Sequence, residues 1–160
     1  MLVDSFIPHK APIKLIDQLL EHSDGSVVTR AIIGSDNLFY DAGLQGVPSW
    51  TAIEYLAQTA ATWVGLQVSL EADEIMPAFL VSARQLRVTC PVFAAGSELQ
   101  IHVDVNFSDG PIVAFYGKIL QCTTGEKITV CEAEFSAFRP DNLDEYLATS
   151  EPRSIEQRQE

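Results

Sequence analysis

The run PSWTAIEYLAQTAATWVGL, residues 48 to 66, restricts the fold more than any other part of the chain. Within it Ile53, Ala57, Ala60, Ala61 and Val64 recur at steps of three and four, the spacing of one face of an α-helix. The remaining faces are almost as apolar, so the pattern predicts a helix over about 49–68 that is buried rather than laid on a surface. Small alanine side chains let a sheet approach such a helix closely. One carboxylate, Glu54, interrupts the run. A mid-helix acid ordinarily faces solvent, but this helix has hardly any polar side to turn outward. A carboxyl held among apolar neighbours has its ionised form disfavoured, which raises its pKa and suits it to donate a proton near neutral pH.

The rest of the chain supplies strands. GSVVTRAIIG (25–34) is β-rich and bounded by glycines, and reads as a strand. Four further β-type segments follow Pro77: AFLVSARQLRVTC, SELQIHVDVNFS, PIVAFYGKILQCT and KITVCEAEFSAFR, joined by PVFAAG, DG and TGE as turns. In LQIHVDVNF, Leu99, Ile101, Val103, Val105 and Phe107 share one face while the alternate residues share the other, as in a sheet covered on one side. Earlier, FIPHKAPIKLID reads as a Pro-punctuated loop and then an extended or briefly helical run. These elements make an α+β domain over 1–142, with one long helix against an antiparallel sheet. Residues 143–160 are polar and acidic, and read as a loosely held tail.

Charge and cysteines exclude several functions. With 22 acids against 10 bases, a formal net charge of −12, nucleic acid and anionic lipid are poor partners. The N-terminus lacks the basic lead and apolar block of a signal peptide or membrane span, so the cytoplasm is the expected compartment. Cys90, Cys122 and Cys131 sit in strand-like runs without metal spacing and read as core thiols. No metal-ligand cluster or phosphate-cradling loop stands out, and no cofactor is expected. Of the three histidines, His22 reads as a solvated turn residue and His102 as the polar face of a strand. His9, in the Pro-punctuated loop, is the one placed to serve as a base.

Three segments resemble a known family. IPHKAPIKLIDQLLEH is similar to the opening of the bacterial 3-hydroxyacyl-[acyl-carrier-protein] dehydratases. VPSWTAIEYLAQTAA resembles their central helix, with a Pro six residues before a catalytic acid and Ala-Gln three and four after it. FLVSARQLRVTCPVFAAGSELQI is similar to their next two strands. The likeness runs from about residue 6 to 139 and implies the hotdog fold, a sheet wrapped round a long helix, with two subunits paired edge to edge. One departure matters. In the main fatty-acid dehydratases a catalytic His lies fourteen residues before the acid, in a Gly-His-Phe-Pro motif; here that position is Tyr40. The closer likeness is to the dehydratase-like proteins of aryl-polyene clusters, which read PH..P near the start and VPAW.GIEY.AQ at the helix.

The resemblance implies dehydration of a 3-hydroxyacyl thioester to a trans-2-enoyl thioester. His9 would act as base, Glu54 as acid from the other subunit of a homodimer or heterodimer, and the Ser49 backbone N–H would face the thioester oxygen. Gln58 would orient the acid or pack the helix, Tyr40 would line the tunnel or replace part of the missing motif, and Trp50 and Phe79 would be tunnel or core walls. The substrate's carrier would be an acidic acyl carrier protein, for which Lys10, Lys14, Arg84 and Arg87 are the candidate docking charges. A hotdog thioesterase, or a non-catalytic subunit paired with an active dehydratase, are the alternative readings.

Overall fold

In the computed structural model, which describes residues 1–69, 78–140 and 142–150, the chain forms eight strands and two α-helices. The strands are β1 (Gln18–Ser23), β2 (Ser26–Ile32), β3 (Gly46–Pro48), β4 (Phe79–Val88), β5 (Val92–Ala94), β6 (Glu98–Asp109), β7 (Ile112–Thr123) and β8 (Glu126–Phe138). The helices are α1 (Ala52–Ser69), entered through a 3-10 turn at Ser49–Thr51, and α2 (Leu143–Ser150). Six strands form one antiparallel sheet in the order β1-β2-β6-β7-β8-β4, and β3 pairs with β5 in a separate two-stranded sheet. α1 lies against one face of the large sheet, over β2, β6, β7 and β4. This is the α+β arrangement that the sequence pattern led to, and the long helix against an antiparallel sheet is what the family resemblance implied.

Two glycines set how close α1 comes to its surroundings. A Cβ on Gly117 of β7 would stand 2.5 Å from Leu56 Cδ2, so the bare backbone is what lets the helix settle on the middle of the sheet. A Cβ on Gly65 would stand 1.9 Å from the Phe6 carbonyl oxygen, so the helix also presses directly on the N-terminal segment. Between these contacts Tyr55, Leu56, Ala52 and Ala60 are buried with Leu99, Ile101, Val103, Phe115 and Ile119 of the sheet. The hydroxyls of Thr29, Tyr55 and Thr59 in this core are paired. Thr29 and Thr59 share a hydroxyl–hydroxyl bond of 2.6 Å, and Thr59 also donates to the Tyr55 carbonyl. The Tyr55 hydroxyl accepts from Asn37 Nδ2 at 2.9 Å, which anchors the loop before β3; burial pushes the phenol up to about 12.

Four local features go beyond or depart from the sequence pattern. The alternation in β6 holds through Val103, but a bulge between Val105 and Phe107 shifts the register, and Phe107 turns out to solvent at 58% exposure. PVFAAG, read as a turn, contains β5, and QLLEHS is strand β1, with His22 exposed near its end. Leu143–Ser150 form α2 where the acidic composition suggested a loose tail; residues 151–160 lie outside the described residues. Strand β4 is an edge of the large sheet. Leu80, Val81 and Leu86 on it are exposed, so apolar side chains stand at the edge of the sheet formed by the described residues.

Candidate active site

The start of α1 and the loop before β1 meet at one point, and what joins them is Gln58. This side chain is fully buried. Its Oε1 accepts from the Leu15 amide at 2.8 Å, and its Nε2 donates to the Ile13 carbonyl at 2.9 Å and to Glu54 Oε1 at 2.8 Å. Because residues four apart stack on one helix face, Gln58 sits directly behind Glu54 and both aims it and fastens the loop. The same loop is closed by Lys14 N–H donating to the Lys10 carbonyl. It holds His9 with Nε2 4.0 Å from Glu54 Oε1. Within one chain, then, the base and acid candidates already stand this close to each other.

Glu54 stands where two cavities meet. The inner one, about 130 Å³, runs between α1 and the sheet and is walled by Ala57, Ala60, Ala61 and Val64 on the helix side. Phe115 and Phe135 face them, stacked with ring centroids 5.3 Å apart. The outer one, about 350 Å³, opens to solvent and is lined by Ile13, Phe39, Trp50, Thr51 and Ile53. Glu54 lines both, while His9 lines only the inner one. The side chains of His9 and Glu54 are 27% and 40% exposed in the single chain, so the acid sits at a mouth rather than deep among apolar neighbours. His9 Nδ1 is buried without a hydrogen-bond partner among the described residues.

The other predicted residues separate. Trp50 is 65% exposed and lies edge-on to Phe39, their centroids 5.5 Å apart, as a wall of the outer cavity. Tyr40 packs against the core and lines neither cavity; its neighbour Phe39 does. Phe79 lines a different hollow, with Val81, Ile112 and Phe138 at the end of the sheet. The Ser49 amide, expected to face a substrate oxygen, is taken: it donates to the Pro91 carbonyl at 3.0 Å, and the Ser49 hydroxyl donates to the Cys90 carbonyl. That placement follows from the β3–β5 pairing, which sequence periodicity did not disclose. Among the basic candidates, Lys14 is bound to Asp4 at 2.9 Å, and the lysine beside it holds the Asp4 carboxyl below its usual range. Arg84 and Arg87 stand opposite Glu134 and Glu132 across the β4–β8 ladder, and Lys10 is exposed.

Phe115, Phe135 and Leu80 escaped the sequence reading as cavity walls. Their strands read correctly, but which face meets the helix at the acid depends on register. Among the described residues no three metal-ligating side chains cluster, and no helix is long and apolar enough to cross a membrane.

Residues 1–148 match the ApeP-like family, described as ApeP dehydratase. The chain belongs to this dehydratase family. No curated protein matches the sequence. Among solved structures it is similar to the dehydratase heterocomplex ApeI:P from Xenorhabdus doucetiae, at 27% identity and a TM-score of 0.82 over 95% of this chain and 99% of that one. The E. coli PaaI protein of the phenylacetic acid degradation operon is 12% identical, with a TM-score of 0.58 over 76% of this chain and 82% of that one. A hypothetical thioesterase protein with coenzyme A from Streptococcus pneumoniae is 13% identical, with a TM-score of 0.57 over 76% and 86%. These last two share the fold alone. The ApeP-like family and the first of these structures agree on dehydration as the activity.

Proposed function

We propose that the chain removes water from a 3-hydroxyacyl thioester carried on an acyl carrier protein, in the building of an aryl-polyene type of chain. The observation that carries this reading is the His9–Glu54 pair, 4.0 Å apart at the mouth of an apolar cavity. The C2 hydrogen and the C3 hydroxyl sit on adjacent carbons, so base and acid must stand a few ångströms from each other to serve both. His9 Nε2 takes the C2 proton, the C3–O bond breaks as the C2–C3 double bond forms, and Glu54 protonates the departing hydroxyl to water. Gln58 keeps Glu54 in place throughout.

Negative charge gathers on the thioester oxygen as the proton leaves, and a backbone donor there stabilises it. With Ser49 engaged, the next amide of the first turn is the better candidate. Trp50 N–H has no acceptor within its own helix, and the residue lines the cavity that ends at Glu54. Lys10 is the basic residue best placed to draw an acidic carrier toward this mouth, because Lys14, Arg84 and Arg87 each face an acid. The exposed edge β4 is the surface on which a second hotdog subunit would extend the sheet.

The test is incubation with a 3-hydroxyacyl carrier protein followed by mass spectrometry. Loss of one water from the acyl chain is expected. His9→Ala and Glu54→Gln should each slow it by about 10²–10⁴-fold, the usual worth of a positioned acid or base. Release of a free acid in place of the enoyl product would instead make the chain a thioesterase.

A further inference from the structure

Asn37 ties the loop between β2 and β3 to α1. Its Nδ2 donates to the Tyr55 hydroxyl at 2.9 Å, and its Oδ1 accepts from the Phe39 amide at 2.9 Å. The main chain is engaged as well: the Asn37 amide donates to the Gly34 carbonyl at 3.2 Å, and the Asn37 carbonyl accepts from the Tyr40 amide at 3.0 Å. Further along, Asp41 and Gly46 exchange backbone bonds of 2.8 and 3.3 Å, and the Asp41 carboxylate accepts from the amides of Gly43 and Leu44. Leu38, Phe39 and Tyr40 are therefore strung between two fixed points. Tyr40 packs on the core, while Phe39 meets Trp50 edge-on and the two rings wall the outer cavity.

The anchor of this loop is rigid. Tyr55 is the residue after Glu54 and is fully buried, its ring edge-on to that of Phe93. Through the Tyr55 hydroxyl, Asn37 thus carries the position of α1 at Glu54 to the Phe39 ring. The cavity so walled is also the roomier of the two that meet at Glu54. At about 350 Å³ it falls in the usual range of small-molecule sites, roughly 300–1,000 Å³, whereas the inner one, at about 130 Å³, holds only part of an acyl thioester. A substrate whose reacting carbons lie at Glu54 must therefore extend into the outer cavity. Trp50 offers it a ring that is 65% exposed, and the edge-on packing with Phe39 leaves a ring face free. A thioester sulfur is a soft, polarisable atom of the kind that favours aromatic rings.

We propose that Asn37 is a positioning residue for the reaction: it holds Phe39 against Trp50, and the two rings grip the thioester end of the substrate in the outer cavity, in line with Glu54. The inference rests on the dehydratase reading for its substrate, while its own content is the route from Asn37 through Phe39 to thioester binding.

The probe is the pantetheine thioester of 3-hydroxybutanoate. Turnover is measured on the full wild-type chain, and binding is measured on the Glu54→Gln variant by tryptophan fluorescence, because a ligand that displaces water from the Trp50 indole moves its emission to shorter wavelength. Trp50→Phe should abolish that shift. Asn37→Ala should raise KM and weaken binding by roughly 3- to 10-fold, the worth of one aromatic contact, and leave kcat within about twofold. Phe39→Leu should do the same, and joining it to Asn37→Ala should add little, since both act on one contact. Should Asn37→Ala fail to fold, Tyr55→Phe, which keeps the buried ring and removes the hydroxyl that anchors the amide, reads the same effect. Unaltered KM and binding in either folded variant, a fall in kcat alone, or an emission spectrum that the thioester leaves unchanged overturns the role. Absence of dehydration with Asn37-dependent binding intact would count against the dehydratase reading and not against Asn37.

Discussion

Replacing Gln58 by Leu should separate the two tasks that this side chain performs. The substitution keeps most of the volume but removes every polar atom. The Leu15 N–H then lies buried without an acceptor, and the Ile13 carbonyl and Glu54 each lose a donor. A buried donor left unmade costs about 1–3 kcal/mol, and the two other bonds add about 1 kcal/mol or more between them, so the loss is about 3 kcal/mol. For a chain of this size each kcal/mol moves the melting temperature by about 2–4 °C, giving a fall of roughly 6–12 °C. Glu54→Gln is the counterpart: its amide oxygen still accepts from Gln58, so its melting temperature should stay within about 2 °C of wild type while dehydration is lost. Thermal unfolding followed by circular dichroism, alongside turnover of a 3-hydroxyacyl thioester, reads both. A Gln58→Leu protein that melts within 2 °C of wild type and turns over normally would refute the argument that this amide holds the His9 loop to the helix.

Three further outcomes follow from the packing and the ionisable groups. Gly65→Ala sets a Cβ against the Phe6 carbonyl, which no rotamer can relieve. Overpacking of about 1–3 kcal/mol should exceed the gain of up to about 1 kcal/mol in helix propensity, and a lowered melting temperature with reduced turnover is the expected result. Burial, and after it the Lys118 charge, hold the His102 imidazole below its ordinary value, so the unfolded chain takes up its proton first. Its contribution to stability is therefore present above about pH 6.5 and lost as the pH falls through the folded value; His102→Gln should flatten the acid side of a stability-against-pH curve. Burial pushes the Cys131 thiol up to about 12, and the side chain is 1% exposed, so a thiol reagent at pH 8 should label Cys131 only after unfolding, as peptide mapping would show.

The elements with a long, regular period were legible in the sequence. α1 and the four strands after Pro77 announce themselves because many side chains repeat the same inside-outside choice. The short pair β3–β5 gives no such period, three residues each being too few, and with it went the acceptor for the Ser49 amide. The β6 bulge was hidden for a related reason: Val105 and Phe107 continue the alternation in the text, and only the pairing with β7 moves Phe107 outward. In the site, Glu54 and Gln58 are one helical turn apart and their contact was readable. The approach of His9 was not readable from spacing, since 45 positions separate the two residues; family likeness alone pointed to it. Likewise the acids opposite Arg84 and Arg87 come from strand register, which composition does not encode.

The central claim, that His9 and Glu54 act on one substrate as a single proton-transferring unit, is tested most directly by a double-mutant cycle on the rate of dehydration with His9→Ala, Glu54→Gln and both together. Groups that work as a unit are strongly non-additive, so the double variant should be no slower than the slower single one, within about threefold. A double variant whose loss equals the product of the two single losses would mean that the residues contribute independently, and the paired mechanism would have to be abandoned.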